Sequence, residues 1–194
     1  CAIRDTLVSV VPMMPDTQGP SMSRTSQDPW PELPTGAWRD TYETLQLWTQ
    51  IMGKIRLARS PWLNHSWHVA LYVTARGLTT SPIPDGIRSF QIDLDFIDHT
   101  LRISTSDGAT RQFALAGQSV ASFYAAIMAD LAGLGIGIAI DEVPNELPEP
   151  IRFSEDRRHA SYDPGAVRRF FQILGNADRV FKQFRTGFLG KASP

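Results

Sequence analysis

The chain has 194 residues, 42% hydrophobic and 20% charged, with a formal net charge of −1 at neutral pH. That make-up suits a water-soluble globular protein with enough apolar material for one full core. It argues against a protein held to nucleic acid by a general attraction for phosphate, and no apolar run approaches the roughly 20 residues that span a bilayer.

A single cysteine, Cys1, permits no internal disulfide, and neither a Cys-x-x-Cys pair nor a Cys/His zinc pattern is present. Such cysteine usage fits a reducing cytoplasm. Leu7 to Pro15 is short, broken by Pro12 and lacks a basic leader, so it does not read as a signal peptide. Residues before Met22 are rich in Pro, Ser, Thr and Met without periodicity, and Met22-Ser23-Arg24 has the look of a start. The expectation is a disordered or upstream segment over 1–29 and one domain over 30–194.

In chain order, Pro29 to Pro34 is an extended arm, because each proline biases its predecessor away from helix. Thr35 is a candidate N-cap for a helix over Ala37 to Arg59, in which Trp38, Tyr42, Leu45, Trp48, Met52 and Ile55 recur at three- and four-residue steps, broadened by Leu47 and Ile51. Ser60-Pro61 ends it. From His65 the chain alternates, predicting a strand with Trp67, Val69, Leu71 and Val73 on one face. A long loop, Arg76 to Arg88, carries Thr79, Thr80 and Ser81 between two arginines, a candidate anion-binding loop as well as a plain connection. Phe90, Ile92, Leu94 and Phe96 then form a second apolar face. Turns at Asp98-His99-Thr100 and Ser106-Asp107-Gly108 complete an antiparallel meander.

Ser119 caps a helix carrying Phe123, Ile127 and Leu131 on one side, with Gly135 as its left-handed stop. Ile136 to Ile140 alternates like a short strand. Asp163-Pro164 opens a last helix to about Phe188, apolar through Phe170, Leu174, Phe181 and Phe184, and basic through Arg168, Arg169, Arg179, Lys182 and Arg185. Such a helix suits a membrane surface, nucleic acid or, more plainly, a sheet on one side and water on the other. No Gly-x-Gly-x-x-Gly and no P-loop is present, which removes the dinucleotide and P-loop readings. The fold class predicted is α+β: an antiparallel sheet of four to five strands with three helices packed on its apolar face.

Five stretches, Trp38 to Gln50, Asn64 to His68, Ala75 to Pro84, Asp95 to His99 and His159 to Pro164, together resemble the bacterial DUF5996 family of uncharacterised proteins. The resemblance runs from about Trp30 to Pro194 and implies no activity, cofactor or ligand. It also implies relatives that continue past Pro194, and hence a domain truncated at its C-terminus.

The candidate chemistry lies on the side of the sheet away from the helices. There the alternation puts His68, Tyr72, Asp93, Asp95, Arg102 and Ser104, with the two aspartates about 7 Å apart along one strand. His68, Asp93 and Asp95 are the residue types of an acid/base pair or an imidazole–carboxylate metal site. Set against that is a solvated face with Asp95 paired to Arg102. Arg76 and Arg88 are candidate anion contacts. His159 and Tyr162 precede a helix N-terminus, which favours an anion, although Asp163 occupies the cap. Ser161 beside His159 is no hydrolase signature, since no Gly-x-Ser-x-Gly elbow exists. The function expected is binding of a small polar or anionic molecule over this face, roofed by the Gly77–Gly86 and His159–Tyr162 loops. The alternative is a non-catalytic interaction module that uses the basic last helix or a sheet edge.

Overall fold

The structure, a computed structural model, describes residues 29–190. The expectations for residues 1–28 and the last four positions lie outside the described residues. The fold is α+β. Helix α1 (Thr35–Arg59) is followed by a 3-10 turn over Asn64–Val69, then strands β1 (Tyr72–Val73), β2 (Gly77–Thr79), β3 (Ile83–Asp85), β4 (Arg88–Asp95), β5 (Thr100–Thr105) and β6 (Thr110–Ala114). Helices α2 (Val120–Gly133) and α3 (Pro164–Arg185) complete it.

All pairings are antiparallel, in the order β1-β2-β4-β5-β6. β3 pairs with β4 as well, so β2 and β3 lie end to end along one edge of β4. At the break between them Thr80 keeps the ladder closed: its N–H donates to the Ile92 carbonyl at 3.0 Å and its hydroxyl accepts from the Ile92 N–H at 3.0 Å. Gly77 is required by a close approach, because a Cβ there would stand 1.9 Å from the Leu94 carbonyl oxygen.

The register sorts the faces. Val73, Leu78, Leu94, Leu101 and Phe113 stand opposite one another on the apolar side, and Tyr72, Thr79, Asp93, Arg102 and Gln112 on the other. The apolar side meets Trp48, Ile51 and Met52 of α1 and Phe123, Ile127 and Leu131 of α2, all fully buried. Each such side chain contributes about 1.5–3 kcal/mol by leaving water. Trp48 is stacked on Phe123, ring centroids 4.6 Å apart.

The ends of the helices are largely those the sequence predicts. Ser119 accepts from the Ser122 N–H at 3.2 Å, Asp163 accepts from Gly165 and Ala166 at 2.8 and 3.2 Å, and Gly135 is left-handed. Thr35 is not a cap; α1 begins with it, after Pro34, and no side chain caps that end.

Three other elements differ from expectation. His65 to Val69 is not strand, because His65 and Ser66 both adopt left-handed backbone and turn the chain; Trp67 is left 43% exposed, while Leu71 and Val73 keep their inward side. Residues 136–140 alternate yet find no strand to pair with, and the Arg59 guanidinium takes the Gly137 carbonyl instead. α3 buries only its first turn, Ala166 and Val167. Farther along, Phe170 packs on Trp38 and Phe171 on Phe96, but Phe181 and Phe184 are 71% and 86% exposed.

Candidate functional site

The sheet face does not gather the residues that the alternation placed together. His68 belongs to the 3-10 turn and is 2% exposed, its Nδ1 accepting from the Leu63 N–H at 3.2 Å and its ring packed on Trp62. Asp93 holds the Gln91 side chain, which donates to both its oxygens at 2.9 and 3.0 Å. Arg102 stands opposite Asp93 rather than Asp95, because the turn after β4 sets Asp95 against Thr100. Tyr72 lies under the Arg56 guanidinium, 5.3 Å from its ring centre.

The two arginines nominated as anion contacts are already committed. Arg76 binds Asp95 and Asp98, and Arg88 binds Asp85 at 2.9 Å, Asp107 at 3.2 Å and the Leu134 carbonyl at 2.8 Å. Burial works to raise the Asp95 pKa, but Arg76 and the N–H groups of Asp98 and Ile97 outweigh it and hold the carboxyl below its ordinary range. The Gly77–Gly86 segment is no roof: most of it pairs with β4 within the sheet, and the Thr79 and Thr80 hydroxyls bond to neighbouring backbone.

The better-built constellation is on the helix side, around the segment before α3. Thr41 and Thr44, buried on α1, hold that segment: the Ser161 N–H donates to Thr44 Oγ1 at 3.2 Å and the Asp163 N–H to Thr41 Oγ1 at 3.0 Å. Tyr162 then turns inward. Its ring stacks on Trp48 at 5.5 Å, and its hydroxyl meets His99 Nδ1 at 2.8 Å. Burial, and next the nearby Asp95 charge, push the phenol pKa far up, so Tyr162 stays a neutral hydroxyl.

Asp156 is only 1% exposed and fully used. One oxygen accepts from the Arg158 and His159 N–H groups at 3.0 and 3.1 Å, and the other lies 2.7 Å from His159 Nδ1. The same loop completes the start of α2: Val120 N–H donates to the His159 carbonyl and Ala121 N–H to the Asp156 carbonyl, both at 2.9 Å. With Ser119 serving Ser122, the first three N–H groups of α2 all have partners. An imidazole fixed at Nδ1 by a buried carboxylate keeps Nε2 for a proton, a ligand or a metal.

His159 lines a concavity of about 440 Å³ together with Asp40, Glu43, Arg158, Ala160 and Ser161. Ser161 Oγ lies 3.3 Å from Thr41 Oγ1. Among the described residues no three His, Cys, Asp or Glu side chains are grouped to hold a metal ion.

Residues 30–194 match the model of a family of unknown function, DUF5996. The chain belongs to DUF5996. Among curated proteins and among solved structures, none matches it. In this DUF5996 chain the resemblance segments Asp95–His99 and His159–Pro164 meet in space through the His99–Tyr162 bond. No helix among its described residues is long and apolar enough to cross a membrane.

His159 and Tyr162 are candidates by sequence; Asp156, His99, Asp40, Glu43, Thr41 and Thr44 come beside them only through the fold. Two signals were available: the Asp156-x-x-His159 spacing, and two threonines interrupting the buried stripe of α1.

Proposed function

We propose that this protein binds a small polar molecule in the concavity beside His159, with the imidazole giving or taking a proton at Nε2. The supporting observation is the Asp156–His159 pair, a buried carboxylate that orients an imidazole on the wall of a polar hollow. Arg158 offers a contact for an anionic group, and Asp40 and Glu43 accept donors from the same ligand. Ligands with a carboxylate or phosphate at one end and hydroxyl or amino groups at the other complement this lining. A chain with one cysteine and this charge suits such work in a reducing cytoplasm.

The test is a thermal-shift screen of amino acids, hydroxy acids and phosphate esters, followed by NMR titration of the His159 ring. A ligand that raises Tm, moves the His159 ring resonances and loses both effects in His159→Gln supports the site. A screen without hits, or a hit that is indifferent to that variant, refutes it.

A second reading rests on α3. Val180, Phe181, Phe184, Phe188 and Leu189 are exposed, on or just after a helix that also carries Arg179 and Lys182. That surface suits a protein partner with an apolar, acidic helix. Its complex would weaken with added salt and with Phe184→Ser, while the His159 resonances would not move.

A further inference from the structure

A second hollow of about 610 Å³ lies between α1, the edge strand β1 and its neighbour β2, α3 and the turn at Asn145-Glu146. Its size is that of a small-molecule pocket. Leu78, Leu174, Trp38, Tyr42 and Phe170 contribute to the wall, with Trp38 packed between the last two at ring separations of 5.5 and 5.2 Å.

The polar groups on this wall are not equivalent. Lys54 is committed: its ammonium binds Asp141 at 3.1 Å and the Val143 carbonyl, and lies 5.7 Å from the Phe153 ring centre. Gln50 is committed too, donating to the Asn145 carbonyl at 3.2 Å and accepting the Asn145 N–H at 2.9 Å. These bonds fix the turn against α1 and hold Glu146 beside the hollow with φ of 61°, an uncommon conformation for a residue with a side chain. The Glu146 carboxylate has no ion pair or hydrogen bond to any described residue. Aromatic rings with one unpaired carboxylate and a neutralised lysine make a wall that favours positive charge on an apolar body.

We infer that this hollow binds an organic cation, an amine or quaternary ammonium on a hydrocarbon or aromatic body. The cationic head meets Glu146 at the end of the hollow held by Gln50, and the body replaces water along Tyr42, Leu78, Leu174 and Phe170. This site is separate from the His159 concavity and stands or falls independently of it.

Isothermal titration calorimetry with 4-phenylbutylammonium, 4-phenylbutanol and 4-phenylbutyrate tests the inference. The expected order is cation tightest, alcohol weaker and carboxylate weakest. Glu146→Gln should weaken the cation about threefold to fivefold and leave the alcohol unchanged. Tyr42→Ala, at an exposed position on the wall, should weaken cation and alcohol alike. Absence of binding, equal binding of cation and alcohol, or a cation affinity unmoved by Glu146→Gln overturns the inference.

Discussion

The hydroxyl of Tyr162 lies 2.8 Å from Nδ1 of His99, tying the lead-in of α3 to the turn between β4 and β5. Tyr162→Phe keeps the stacking on Trp48 and deletes only this bond, leaving a half-buried imidazole nitrogen without its partner. The expected loss is about 1–2 kcal/mol in urea unfolding, with the fold retained.

The same imidazole predicts a pH dependence. Burial, and next the positive charge of Arg168, hold the His99 pKa below its ordinary 6.5, while Asp95 and Asp98 pull the other way. The unfolded chain therefore takes up its proton first as pH falls. Stability from this group is full above pH 6.5 and declines as the pH drops through the folded-state pKa. His99→Asn tolerates the left-handed turn at φ of 51° and removes the titrating ring. Unfolding curves between pH 7.5 and about 5 should be flatter for the variant than for the parent; equal slopes would discard this assignment. The depressed Asp95 acts in a separate, more acidic window, below its ordinary 3.8.

Asp156→Ala removes the acceptor for two backbone N–H groups and for the His159 ring. A loss of about 2–3 kcal/mol is expected, because these donors stay sheltered without a partner. At the His159 concavity the variant should also raise the Kd of any ligand, since the imidazole loses its fixed orientation.

Two glycines should respond in opposite directions. Gly77→Ala drives a methyl into the Leu94 carbonyl, so β2 must shift off β4 at a cost of about 1–3 kcal/mol or more. Gly175, within α3, has open space where a Cβ would go, so Gly175→Ala should raise stability by about 0.5–1 kcal/mol. Thermal melts of the two variants against the parent check both signs.

Much of the scaffold was legible in the chain because local rules and packing agree there. Phe90, Ile92, Leu94 and Phe96 alternate and are all buried, and Ser119 and Asp163-Pro164 start helices by their own chemistry. Alternation misled where nothing enforced pairing. Trp67 and His68 satisfy a strand pattern, yet two left-handed residues before them reverse their exposure, and Ile138 and Ile140 pack on the core without a ladder. The candidate site was half legible. His159 and Tyr162 stand in a recognisable lead-in, but no periodicity marks a buried carboxylate such as Asp156 or tells that the turn residue His99 reaches a tyrosine 63 positions away.

Because the carbonyls of Asp156 and His159 take the first two N–H groups of α2, the imidazole and the helix start form one cooperative unit. Opening of that loop would release the Val120 and Ala121 amides to deuterium in the same event that frees the ring. Exchange at those two amides thus offers a clock for how often the histidine leaves its poise, readable with no ligand in hand.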